Sequence, residues 1–155
     1  MTTPKKHILC FELLLYAAAL ALVGSQERAN AYGPDEGAKD AAIVYRFQRG
    51  LDKHEQEWAI HPDGLITKEQ ARIAKLPQNE VTELLDEIAK LGFFEMKGKY
   101  PPPRFCHQCS SYRIIVRHVG REKTVSFWDG SKGIPAQLIE IASKIQGLLR
   151  STRTR

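Results

Sequence analysis

Five apolar residues at helical spacing, Val81, Leu84, Leu85, Ile88 and Leu91, constrain this chain more than any other stretch. Residues three and four apart share one side of a helix, so the five form a single stripe. Glu80, Glu83, Asp86, Glu87 and Lys90 occupy the rest of the cylinder. Pro77 precedes the stripe and Gly92 follows it, the order expected of a helix start and stop. A second stripe, Leu138, Ile141, Ala142, Ile145 and Leu148, opens after Pro135. A helix with one apolar stripe has to bury it against another element.

The other segments alternate with period two and supply that element. Ile43, Tyr45 and Phe47 alternate with Val44, Arg46 and Gln48, which predicts a strand over 43–48. Residues 55–61 form a second strand with Trp58 and Ile60 facing inward. Pro62-Asp63-Gly64 is a turn, because proline presets one dihedral and glycine supplies the positive one. Leu65-Ile66-Thr67 returns as a third strand, and residues 68–76 either extend it or form a short helical turn. After the stiff Pro101-Pro102-Pro103 run, residues 112–119 and 123–128 form a hairpin around Gly120-Arg121. The order is β-β-β-α-β-β-α. It predicts an α+β fold, an antiparallel sheet of about five strands with two helices packed on one face.

The first 31 residues stand apart from this pattern. Lys5 and Lys6 precede an almost wholly apolar run from Ile8 to Val23, interrupted by Glu12, and Ala29-Asn30-Ala31 follows. A basic head, an apolar middle and a small-x-small exit read as a cleavable secretory signal, which leaves Tyr32 as the new N-terminus. The apolar run is shorter than the roughly 20 residues of a spanning helix, and Glu12 is costly in a bilayer. The membrane is therefore met only through the signal peptide before cleavage, and the chain is expected to be exported, periplasmic or secreted. Residues 32–42 read as a flexible leader, 43–149 as a single domain and 150–155 as a disordered basic tail. The formal net charge of +5 is mild, and part of it lies in the signal and the tail. A nucleic-acid surface concentrates far more positive charge, so no nucleic-acid partner is expected.

Cys106-His107-Gln108-Cys109 is the most specific local feature. In an exported chain its plain reading is a short disulfide, Cys106 to Cys109, pinning the loop before Tyr112. A redox site is an alternative, although such sites place the first cysteine at a helix N-terminus. Metal handling is another, with His107 adjacent and His54, His61 and His118 scattered, but no second cysteine pair at zinc spacing. No phosphate-cradling glycine loop and no nucleophile constellation stand out, so no catalytic residue, cofactor or resident metal is assigned. Asp35, Asp63 and Asp129 sit beside Gly or Pro and read as turn formers.

If the helices cover the Tyr112, Ile114 and Val116 face, alternation sends Arg46, Arg113, Ile115, Arg117 and Trp128 to the opposite one. Trp, Ile and three Arg on one sheet face have the composition of a protein-binding patch. A solvated sheet face, or one covered by the leader, is the plainer alternative. The expected partner is another protein.

The second half also resembles a known group. Gly92-Phe93-Phe94 closing a helix, Tyr100-Pro101, the Tyr112-Arg113-Ile114-Ile115-Val116 strand, Thr124-Val125, Asp129-Gly130 and Pro135 to Leu138 opening a helix carry the pattern. Small exported bacterial α+β domains of unassigned function share it, and it is distantly similar to emfourin-type inhibitors of thermolysin-like metalloproteases. The resemblance covers roughly residues 43–149. It implies the α+β fold and a non-enzymatic binding module of the cell envelope, inhibitor-like in kind. A small thiol/disulfide or metal-handling protein using Cys106 and Cys109 is the alternative.

Overall fold

The structure is a computed structural model that describes residues 38–50, 52, 54–104, 106 and 108–152. The expected signal peptide, the leader up to residue 37, His107 and residues 153–155 of the expected tail lie outside the described residues.

The described strands are β1 (Ile43–Gln48), β2 (Glu55–Ile60), β3 (Leu65–Lys68), β4 (Ala71–Lys75), β5 (Ser111–His118) and β6 (Arg121–Trp128). They form one antiparallel sheet in the order β4-β3-β2-β1-β5-β6. The fold is α+β, as the sequence pattern requires. The sheet has a sixth strand beyond the expected five. It arises from residues 68–76, which neither lengthen β3 nor turn helical. Glu69 and Gln70 instead reverse the chain at φ 48° and 71°, and β4 runs back along β3. Two successive positive φ values are the geometry of a tight hairpin turn, normally supplied by Asn-Gly or Gly-Gly.

β1 lies between β2 and β5, and each of its six residues pairs on both sides. Ile43 stands opposite Ile60 and Val116, and Tyr45 opposite Trp58 and Ile114. These residues share one face because side chains directly opposite in a ladder point the same way. The helices α1 (Gln78–Lys90) and α2 (Ala136–Ser151) cover that face. Ile43, Ile60, Ile66, Ile88, Phe93, Ile114, Leu138, Ile141 and Ile145 are fully buried between the layers. Each such side chain contributes about 1.5–3 kcal/mol by leaving water. The Lys144 ammonium 3.1 Å from the Glu87 carboxylate bridges the two helices, and His118 reaches Asp86 at 3.0 Å to tie β5 to α1.

Both sheet edges are managed. At β6, the Tyr100 amide donates to the Ser126 carbonyl at 2.8 Å and the Ser126 amide to the Gly98 carbonyl at 3.0 Å. Residues 98–100 thereby occupy backbone groups that would otherwise invite another strand. β4 carries Arg72 and Lys75, and the ladder beside it shifts register between Ile66 and Thr67. Charges and a bulge both discourage edge-to-edge pairing. Gly64, at φ 89°, is held where a Cβ would lie 2.0 Å from the Leu76 carbonyl oxygen. Its own carbonyl accepts from the Leu76 amide at 2.9 Å, so the turn glycine also fastens the end of β4.

The domain's margins differ from the sequence reading. Ala41 and Ala42, at the end of the expected leader, are buried. The Ala42 amide donates to the Ile60 carbonyl at 2.9 Å and its carbonyl accepts from the Arg117 amide at 2.8 Å. At the other end, α2 runs through Arg150 and Ser151, residues expected in the tail. The β5–β6 turn is Val119-Gly120 rather than Gly120-Arg121, with φ 48° and 69°. Val119 is 83% exposed, so nothing is gained from burying it while its branched side chain bears an unfavourable dihedral.

Candidate functional site

Arg46, Arg113, Ile115, Arg117 and Trp128 all lie on the sheet face opposite the helices. The registers Arg46 to Arg113, Ile115 to Thr124 and Arg117 to Glu122 place them there, and Trp128 pairs with Ser111 on the same side. Three of the five are committed to the protein's own structure. Arg46 pairs with Glu57 across the ladder, its Nε donating to Oε2 at 2.7 Å. Ile115 packs with Ala38, Ala41, Val44 and Ala59 in a small second apolar cluster. Arg117 sits over that cluster's edge. Its Nη1 donates to the carbonyls of Ala38 and Ala41, each at 2.9 Å, and its Nε donates to Glu122 at 2.7 Å.

The face is therefore divided. Residues 38–42 cover the end near Ile115 and Arg117, and the other end remains open. There Arg113 is exposed, and its side chain has neither a hydrogen bond nor an ion pair among the described residues. Trp128, a diagonal neighbour on β6, is half-buried, and the Lys99 ammonium lies 5.6 Å from its ring centre. This distance is within cation–π range.

Cys106 and Cys109 form a disulfide pair, with Cα atoms 5.4 Å apart. That separation is ordinary for a disulfide. The loop lies between the proline run and β5. The Asp129 amide donates to the Ser110 carbonyl at 3.0 Å, and the Ser110 amide donates to the Asp129 carboxylate at 3.2 Å. The Gln108 carbonyl oxygen comes within 3.0 Å of where a Cβ on Gly50 would stand, so the loop abuts the end of β1. Among the described residues, no group of three or more His, Cys, Asp and Glu side chains is arranged to hold a metal ion.

The helix side holds a feature that the sequence reading missed. Beside the last turns of α2, at Gln146, Leu149 and Arg150, a groove of about 500 Å³ opens against the sheet. Tyr45, Phe47, Trp58 and Tyr112 line it from the sheet. Tyr112 stacks on Phe127 with ring centres 4.8 Å apart, and Phe47 lies 5.3 Å from Tyr112 on its other side. The Gln146 amide donates to the Tyr45 hydroxyl at 2.5 Å. Burial pushes the Tyr45 hydroxyl above its ordinary range, with Gln146 and Arg150 acting the other way. Burial, followed by a hydrogen bond to the Asp129 carboxylate, pushes the Tyr112 hydroxyl up to about 12. The available signal was the aromatic content of the inward row Tyr45, Phe47, Trp58 and Tyr112, which reads equally well as core.

No protein-family model matches the chain, and no curated protein matches it.

Two expectations follow. Replacing Arg117 with Ala removes the charged donor that holds the Ala38 and Ala41 carbonyls. A hydrogen bond from a charged group is worth about 1.5–3 kcal/mol, so urea unfolding of Arg117→Ala should show a loss of about 2 kcal/mol. A loss below about 0.5 kcal/mol, the scale of an ordinary surface change, would show that the clamp contributes nothing. The second expectation concerns alkaline pH. Tyr112 holds its proton more tightly folded than unfolded, so its contribution is complete below the ordinary tyrosine value of 10.0 and is lost as pH rises toward about 12. Tyr112→Phe should flatten the fall in stability across that window, measured by denaturation at a series of pH values. An unchanged slope would contradict the assignment.

Proposed function

We propose that the protein is an exported, non-enzymatic binding module of the cell envelope, periplasmic or secreted, and that its partner is another protein. One observation carries this reading: the open end of the outer sheet face presents an unpaired Arg113 beside Trp128, while Arg46 and Arg117 on the same face are internally bonded. Arginine and tryptophan are the side chains in which interfaces concentrate affinity. An exposed guanidinium without a partner is also free to take a carboxylate in the two-pronged geometry that lysine cannot match. The resemblance to emfourin-type inhibitors supports an inhibitor-like role and makes a thermolysin-like metalloprotease the first partner to test. The disulfide pairing of Cys106 and Cys109 is compatible with this reading, as a pin on the loop beside β5.

The test combines export and binding. Material recovered from the native host should begin near Tyr32 by mass spectrometry. The mature domain should bind and inhibit a thermolysin-like metalloprotease from the same envelope. Arg113→Ala and Trp128→Ala should each weaken that binding, by about 2 kcal/mol if they are hot spots, while the fold stays intact by circular dichroism. Undiminished binding by the double variant would overturn the assigned face. Native protein that still begins at Met1 would overturn cleavage of the signal.

A further inference from the structure

We infer that the groove at the end of α2 is a binding site for an aromatic carboxylate, independent of the outer face. Its size falls in the range of small-ligand sites, about 300–1,000 Å³. Its sheet wall is aromatic, built from Tyr45, Phe47, Trp58 and Tyr112. A planar apolar group suits that wall, because aromatic pairs gain energy beyond the area they bury.

The hydrogen-bonding inventory gives the sign of the ligand. Arg49 and Arg150 line the groove, and both are exposed without a hydrogen bond or ion pair from their side chains among the described residues. The Trp58 indole Nε1 is buried and has no hydrogen-bond partner, although the residue is only 8% exposed. A buried donor left unmade costs about 1–3 kcal/mol, which an acceptor that reached it through a small shift of the ring would recover. The Tyr45 hydroxyl accepts from Gln146, which leaves its own proton to donate. One carboxylate also lines the groove: Asp52, which accepts from the His54 amide at 3.1 Å and keeps its charge. Asp129, outside the lining, accepts from the Ser110 amide at 3.2 Å. Among the described residues the groove thus sets two arginines against the single carboxylate of Asp52, a net positive charge beside an aromatic wall. An aromatic ring bearing a carboxylate satisfies both halves, with the guanidiniums taking the carboxylate. This chemistry occurs in a free aryl acid and at the end of a peptide chain closing in Phe, Tyr or Trp.

The probes are N-acetylphenylalanine, its amide, and a pentapeptide ending in Phe with a free carboxylate. Each is titrated into the mature protein by calorimetry, with the Trp58 and Trp128 indole N–H resonances followed by NMR. N-acetylphenylalanine or the peptide should bind saturably and shift the Trp58 resonance while leaving Trp128 in place. The amide should bind at least ten-fold more weakly. The double variant Arg49→Gln, Arg150→Gln should lose at least ten-fold in affinity while keeping the wild-type unfolding midpoint, because both side chains are exposed. Tighter binding of the peptide would assign a chain terminus as the ligand, and equal binding a small acid. Absence of saturable binding by both carboxylates, equal binding of the amide, or full affinity in the double variant would overturn the inference. None of these readouts depends on the outer face, so the two proposals fail separately.

Discussion

The pairing of β1 on both of its edges is the constraint on which the rest of the structure depends. All six of its residues are in register with β2 on one side and β5 on the other. A one-residue slip of β1 would send Ile43, Tyr45 and Phe47 to the outer face and bring Arg46 and Gln48 beneath the helices. The cost of placing Arg46 in that core without a partner far exceeds that of any single surface contact. The central register is therefore fixed by which residues can tolerate the helix side. α1 and α2 follow from it, because their stripes can be buried only on the face that carries Ile60, Ile66, Ile114 and Val116.

The two faces then diverge in chemistry. On the outer side, alternation leaves Val44, Ala59 and Ile115 as a patch of small apolar residues. That patch needs a cover, and Ala38 and Ala41 supply it. Arg117 makes the cover hold by giving one guanidinium nitrogen to two backbone carbonyls of the covering segment. The same residue pairs with Glu122 across the β5–β6 ladder, so one side chain joins the hairpin to the chain's entry into the sheet. On the inner side, a groove opens beside the last turns of α2, and its sheet wall is aromatic. The domain therefore has a covered and an open region on each face, and the open regions carry the two proposed binding sites.

Much of this was legible in the sequence because the pattern was strong. The β1 limits, both helices and the assignment of Arg46, Arg113, Ile115, Arg117 and Trp128 to one face follow from periodicities of 2.0 and 3.6 alone. β4 was not legible for a stated physical reason. Its turn uses Glu69 and Gln70 at positive φ, where the recognisable signals are Gly and Asn, and its strand, Ala71 to Lys75, pairs on one side only and is mostly exposed. The β5–β6 turn was displaced by one residue for a similar reason, since Val119 is a poor residue for the dihedral it adopts. The clamping role of Arg117 could not be read from spacing, because its acceptors are backbone carbonyls 76 and 79 residues away in sequence. The groove was hidden because an aromatic row facing inward looks the same whether a helix ends above it or continues.

The most direct test of the two-faced sheet compares neighbours. Phe127 is 4% exposed and stacks on Tyr112 beneath the helices, whereas Trp128 points to the other side of the same strand. Urea unfolding of the two alanine variants should separate them. Phe127→Ala should cost about 3–5 kcal/mol, the range for deleting a buried aromatic. Trp128→Ala should cost less than about 1.5 kcal/mol, since it gives up partial burial and one cation–π contact. Equal losses in the two variants would contradict the alternation from which the fold, the clamp and both open surfaces are derived.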